Sequence, residues 1–132
     1  MMRALPALPV LPRRLRAVLP ALLLAAAVAD AAGAEPSARA VKLYNTYCVQ
    51  CHGVNRDGNG INSASMAVKP RDHTDTKAMG DTPDETLFKA IKGGGLAVSK
   101  SVLMPKWEGV LNDEEITEMV VYLRFVSKTS AK

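Results

Sequence analysis

The chain has 132 residues, with 17 Lys plus Arg against 13 Asp plus Glu, two Cys, one Trp and two Phe. That is enough for one small domain and excludes a multidomain enzyme. Much of the 48% hydrophobic content lies in the first 34 residues, where Leu, Ala, Val and Pro follow one another with almost no polar residue after Arg16.

Residues 1–34 have the three parts of a secretory signal. Arg3, Arg13, Arg14 and Arg16 give a positive start, Ala17 to Ala29 form an apolar stretch, and small residues follow with an A-x-A site at Ala32, Gly33 and Ala34. A membrane anchor is the competing reading, but the stretch falls short of the roughly 20 residues that cross a bilayer, and it contains Pro20. The expected organisation is a cleaved signal peptide over 1–34, cut after Ala34 or alternatively Ala31, followed by one domain over 35–132. Taking away Arg3, Arg13, Arg14, Arg16 and Asp30 leaves 13 basic and 12 acidic residues, so the mature chain is near +1. A nucleic-acid role thereby loses its compositional support. A chain this short and poor in aromatic residues needs a staple such as a disulfide, a metal or a cofactor.

The mature chain reads as helices joined by irregular loops, with no alternation of polar and apolar residues long enough for a strand. Ser37 caps a first helix running to about Cys48, with Val41, Tyr44 and Cys48 on one face. Gly53 to Thr82 is too long and too polar for a bare loop in a compact domain, which suggests that it wraps something. Within it, Asp57, Gly58, Asn59 and Gly60 look like a fragment of a calcium loop but lack the later ligating positions, and they read as a glycine-rich turn. The next helix is expected to use Thr82 as N-cap, Pro83 at the first helical position and Glu85 to close a capping box. Leu87, Phe88 and Ile91 form its apolar face, and Gly93, Gly94 and Gly95 stop it. The last helix opens at Asn112 with Glu115 and runs to about Ser127, with Ile116, Met119, Val120, Leu123 and Val126 at 3.6-residue spacing.

Cys48, Val49, Gln50, Cys51 and His52 form C-x-x-C-H, the attachment signature of c-type haem. Two thiols three positions apart reach the two vinyl-derived carbons of the porphyrin, and the adjacent histidine points at the iron. Three other readings compete. A thioredoxin-like redox pair wants a preceding strand in a βαβ context, whereas Ala38 to Tyr47 reads as helix. A disulfide across three positions closes too short a loop to stabilise much. A zinc site needs a further ligand pair, and the only other His or Cys is His73.

On Tyr44 to Gly53 (YNTYCVQCHG), Leu103 to Leu111 (LMPKWEGVL) and Glu114 to Val126 (EEITEMVVYLRFV), the mature chain resembles a class I c-type cytochrome, a single-haem bacterial electron carrier. The resemblance covers nearly all of residues 36–127. It implies a compact all-α fold, three to five helices wrapped around one haem bonded through Cys48 and Cys51, in a periplasmic and monomeric protein. It also implies crossed first and last helices, with Tyr44, four residues before the first cysteine, packed on Met119 and Tyr122.

His52 and Met104 are the axial ligands that the resemblance implies. Met104 precedes Pro105, which stiffens the turn presenting the sulfur, and a thioether favours reduced iron. Met66 and Met79 compete but read as core filling. His73 would give bis-histidine ligation, although its polar neighbours Arg71, Asp72, Thr74 and Asp75 make an exposed histidine the plainer reading. In the family a ligating imidazole often donates its other N–H to a proline carbonyl, here Pro70. Arg71 and Trp107 are candidate donors to the haem propionates.

With both axial positions filled by protein, the expected function is one-electron shuttling and no enzymatic turnover. The alternative is a haem enzyme or gas sensor with a vacant or displaceable sixth position. A small subunit held within a nitrogen-oxide reductase or terminal-oxidase pathway is a third setting. Charge order adds an expectation about partners. Lys89, Lys92, Lys100 and Lys106 fall in a stretch without acids, and Glu108, Asp113, Glu114, Glu115 and Glu118 in one without bases. A positive face near the methionine side would suit redox partners with an acidic docking patch.

Overall fold

The computed structural model describes residues 35–130; the expected signal peptide over 1–34 and its cleavage site lie outside the described residues. Five α-helices follow in order: α1 Ala38–Tyr47, α2 Val49–His52, α3 Thr76–Gly80, α4 Asp84–Gly93 and α5 Asp113–Thr129. Short 3-10 turns occupy Ile61–Ser63 and Gly95–Val98. Among the described residues there is no strand, only an isolated bridge between Glu108 and Leu111. The fold is therefore all-α, as expected. No helix among the described residues is long and apolar enough to cross a membrane.

The two long-range partners are α1 and α5. Ser37 caps α1 by accepting from the Ala40 amide at 3.0 Å, and its hydroxyl donates to Glu118 Oε2 at 2.7 Å, so one side chain starts α1 and ties it to α5. Asn112 and Glu115 form the expected capping box at the start of α5. Ala40 and Tyr44 lie one turn apart on the buried side of α1, against Ile116, Met119, Val120, Tyr122 and Leu123 of α5. The Tyr44 ring meets Tyr122 edge-on, with centroids 5.3 Å apart. Edge-on aromatic pairs contribute about 0.5–1.5 kcal/mol beyond the area they bury.

α4 begins one residue later than its sequence signal suggests. Pro83 occupies the cap, Asp84 is the first helical residue, and the Thr82 hydroxyl instead donates to the Ala78 carbonyl at 2.8 Å. The reason is α3, a helix that the irregular composition of residues 53–82 hides. Asp75 caps it by accepting from Ala78 N at 2.9 Å, and Thr82 is drawn into closing its C-terminal end. The junction is clamped by Arg124 of α5, which reaches the carbonyls of Met79 and Thr82 and the carboxylate of Asp84. Met79 is fully buried in this core, which is the core-filling role expected of it.

Candidate functional site

Cys48 breaks the regular course of α1, and the chain re-forms at once as the single turn of α2. The His52 amide donates to the Cys48 carbonyl at 2.9 Å and the Cys51 amide to the same oxygen at 3.2 Å. That turn carries both thiols and the imidazole to one side, where Cys48, Cys51 and His52 line a cavity of about 1030 Å³. Both cysteines are free thiols, and burial pushes Cys48 up to about 12. Among the described residues no group of three His, Cys, Asp or Glu side chains is placed to hold a metal, so the zinc reading has no donor set. Among the described residues α1, and not a strand, precedes the pair, which removes the thioredoxin-like reading.

His52 is held through Nδ1, which lies 3.0 Å from the Arg71 carbonyl oxygen. Burial keeps the ring neutral by lowering its pKa, and a neutral imidazole donating from Nδ1 has its lone pair on Nε2, the form that binds a metal. The acceptor is thus the carbonyl of Arg71 and not that of Pro70. Pro70 lines the cavity one residue earlier, with its own carbonyl against Gly58, and the Arg71 side chain is exposed at the same wall. The loop reaches His52 because it folds tightly onto α2. The Gly58 amide donates to His52 O at 2.9 Å and the Gly60 amide to Cys51 O at 3.0 Å. A side chain at Gly60 would put its Cβ 2.4 Å from the Gln50 carbonyl oxygen, so only glycine allows this approach. Asp57 closes the turn by accepting from Asn59 N, in keeping with a glycine-rich turn.

Met104, Pro105 and Trp107 line the same cavity, with Leu87, Ile91, Met119 and Leu123 among the apolar residues around them. The loop bearing Met104 lies against the glycine run that ends α4. The Gly95 amide donates to Met104 O at 3.1 Å, and the Trp107 amide to Ile91 O at 3.1 Å. A Cβ on Gly95 would stand 2.0 Å from Ser101 O, so the glycines not only stop α4 but also seat the methionine loop. Trp107 packs on Tyr47 with ring centroids 5.1 Å apart. Met66 also lines the cavity.

Two expectations change here. His73 is not exposed: it is 6% accessible and stacks on His52, with centroids 4.4 Å apart and planes at 17°. Asp72 turns back to accept from the Thr74 amide and hydroxyl, which satisfies the polar neighbours locally and lets His73 point inward. Two imidazoles holding one iron from opposite sides meet end to end, unlike this face-to-face pair. The lysine stretch is also less free than its charge order suggests. Lys89 pairs with Glu85 on its own helix at 2.7 Å, and Lys92 pairs with Asp113 at 2.7 Å, which joins the basic stretch to the acidic one. Lys100 and Lys106 are exposed, and Lys100 lines the cavity.

A largely apolar cavity of this size in so small a domain, edged by two thiols, a neutral imidazole and a thioether, fits an iron porphyrin bonded through Cys48 and Cys51. Helices folded around such a site define a class I c-type cytochrome. The chain belongs to the family described as cytochrome c oxidase, cbb3-type, subunit III, whose family model matches residues 35–123. Haem-based electron transfer follows from that membership, and haem c is the cofactor it implies. No curated protein and no solved structure matches the chain.

Proposed function

We propose that the chain is a one-electron carrier whose haem iron is held by His52 and Met104. The observation that carries this reading is the His52 ring, neutral and fixed through Nδ1 to the Arg71 carbonyl, beside two thiols in the same turn. When bound, the group supplies one-electron chemistry through the Fe(II)/Fe(III) couple. Cys48 and Cys51 hold it, His52 offers Nε2, and Met104 offers a soft sulfur from a loop seated on Gly95. Arg71 and Trp107, both at the cavity wall, serve as donors to its carboxylates. The apolar lining keeps water from the iron and so narrows its chemistry to electron exchange.

The mature protein acts in the periplasm after loss of residues 1–34, as a monomer that meets redox proteins through the rim of the cavity. Exposed Lys100 and Lys106 suit an acidic patch on the partner. The family's description supports a second setting for the same chemistry, as a c-type subunit of a terminal oxidase. Visible spectra of the oxidised and reduced protein, with and without carbon monoxide, test the ligation. A six-coordinate low-spin spectrum that carbon monoxide changes only slowly and incompletely at neutral pH is expected. Rapid, complete binding would overturn the carrier reading in favour of a haem enzyme or gas sensor.

A further inference from the structure

Of the two stacked imidazoles, His52 is the one that holds the haem, and His73 lines the same cavity beside it. His73 is buried on a segment with no regular structure, and its backbone amide donates to the Arg56 carbonyl at 2.8 Å. Its Nδ1 lies 3.2 Å from the hydroxyl of Tyr44, a residue only 1% exposed. The Tyr44 ring meets His73 edge-on at 5.9 Å and at 71°. Arg56 closes the far side, with its guanidinium over the Tyr44 ring at 5.4 Å and Nε donating to the Tyr122 hydroxyl at 2.6 Å. His73 is therefore fixed in position and in plane from three directions before it touches His52.

The hydrogen bond from Nδ1 to Arg71 restricts rotation of the His52 ring about its Cβ–Cγ bond but leaves the small arc that a single hydrogen bond tolerates. A rigid parallel ring 4.4 Å away removes that freedom. The imidazole plane of an iron ligand fixes the orientation of the ferric electronic ground state, so a wall that sets this plane acts on the metal without contacting it. The π face of a ring stacked on His52 also favours positive charge spread onto that imidazole in the oxidised state, as in a cation–π contact.

We propose that His73 is a positioning residue for the axial imidazole, setting the plane of His52 and holding the reduction potential below the value it would have without the stacked ring. The proposal rests on His52 being the axial ligand. His73→Leu and His73→Gln remove the ring, while His73→Phe keeps a flat face without the polar nitrogens. We expect both ring-deleting variants of the haem-loaded protein to shift the ferric electron-spin resonance g-values. They should also raise the electron-exchange equilibrium constant with a fixed reference couple about threefold, which is roughly 30 mV for one electron. His73→Phe should restore both readouts towards the parent protein. Loss of packing alone would lower thermal stability without reversal of potential and g-values by Phe.

Parent-like g-values and potential in whichever ring-deleting variant folds would overturn the proposal, as would a His73→Phe protein as perturbed as those variants. His52→Ala is measured alongside. If it keeps the six-coordinate low-spin spectrum, the axial assignment itself fails and the proposal with it. If it loses that spectrum while ring deletion is silent, only the proposal fails.

Discussion

The two walls of the cavity are built by different means. On the His52 side, backbone and side chains interlock: Gly58 and Gly60 bond to the carbonyls of α2, Arg71 holds the imidazole, and His73 stacks on it under Tyr44. On the Met104 side, the loop is held by backbone bonds to the end of α4, while Leu96, Val102 and Leu103 stand exposed to solvent. One wall is continuous with the core between α1 and α5, and the other is laid over it. Damage to the first should therefore reach the fold, and damage to the second should stop at the loop that bears Met104.

The largest expected effect removes what joins the walls. Replacing Cys48 and Cys51 together with Ala should leave a chain without most of its helical circular dichroism, because cofactor contacts supply much of the apolar burial and a group bound only to the folded state stabilises it. Native-like helicity in the haem-free chain would show that the core between α1 and α5 suffices. Paired glycine substitutions sharpen the contrast. Gly60→Ala forces a Cβ against the Gln50 and Cys51 backbone and should cost about 3 kcal/mol in denaturant unfolding of the haem-loaded protein. Gly95→Ala pushes Ser101, and with it the Met104 loop, off the end of α4 and should keep helical content while losing the upfield methionine methyl resonance of the reduced protein. Equal losses of stability in both would erase the distinction between the walls.

Met104→Ala tests the second wall directly. The reduction potential should fall, since a thioether favours Fe(II), and carbon monoxide should bind readily. An unchanged spectrum would point to Met66, which lines the same cavity. The smallest effect lies at the far end of α1. Hydrogen bonds from Arg39 and then Ser37 hold the Glu118 carboxyl at about 2, below its ordinary 4.5. A depressed acid contributes stability above its unfolded pKa, and this contribution should fade as pH falls from about 4.5 to about 2. A slight drop in melting temperature across that window, absent in Glu118→Gln, is the expected outcome.

Periodicity made the helical half of the molecule legible. Ser37, Asn112 and Glu115 cap where their types predict, and the 3.6-residue repeat from Ile116 to Val126 is the buried face of α5. The C-x-x-C-H turn and Met104 are local signals, and both stand at the cavity. Residues 53–82 resisted reading because their order comes from tertiary bonds and not from any repeat. Arg71 contributes a carbonyl, which no residue type advertises, so the acceptor for His52 fell one position from the proline that its family pattern suggests. His73 was hidden by polar neighbours that satisfy one another. Lys89 pairs with Glu85 one turn back on the same helix, a spacing the sequence displays, whereas the partner of Lys92, Asp113, comes into view only when α4 meets the start of α5.

The bond between Ser37 and Glu118 joins residues 81 positions apart. Ala40 and Tyr44 have nothing to bury against until α5 docks, so the core is completed by a contact of long sequence separation, whose loop-closure entropy must be met before its burial is gained.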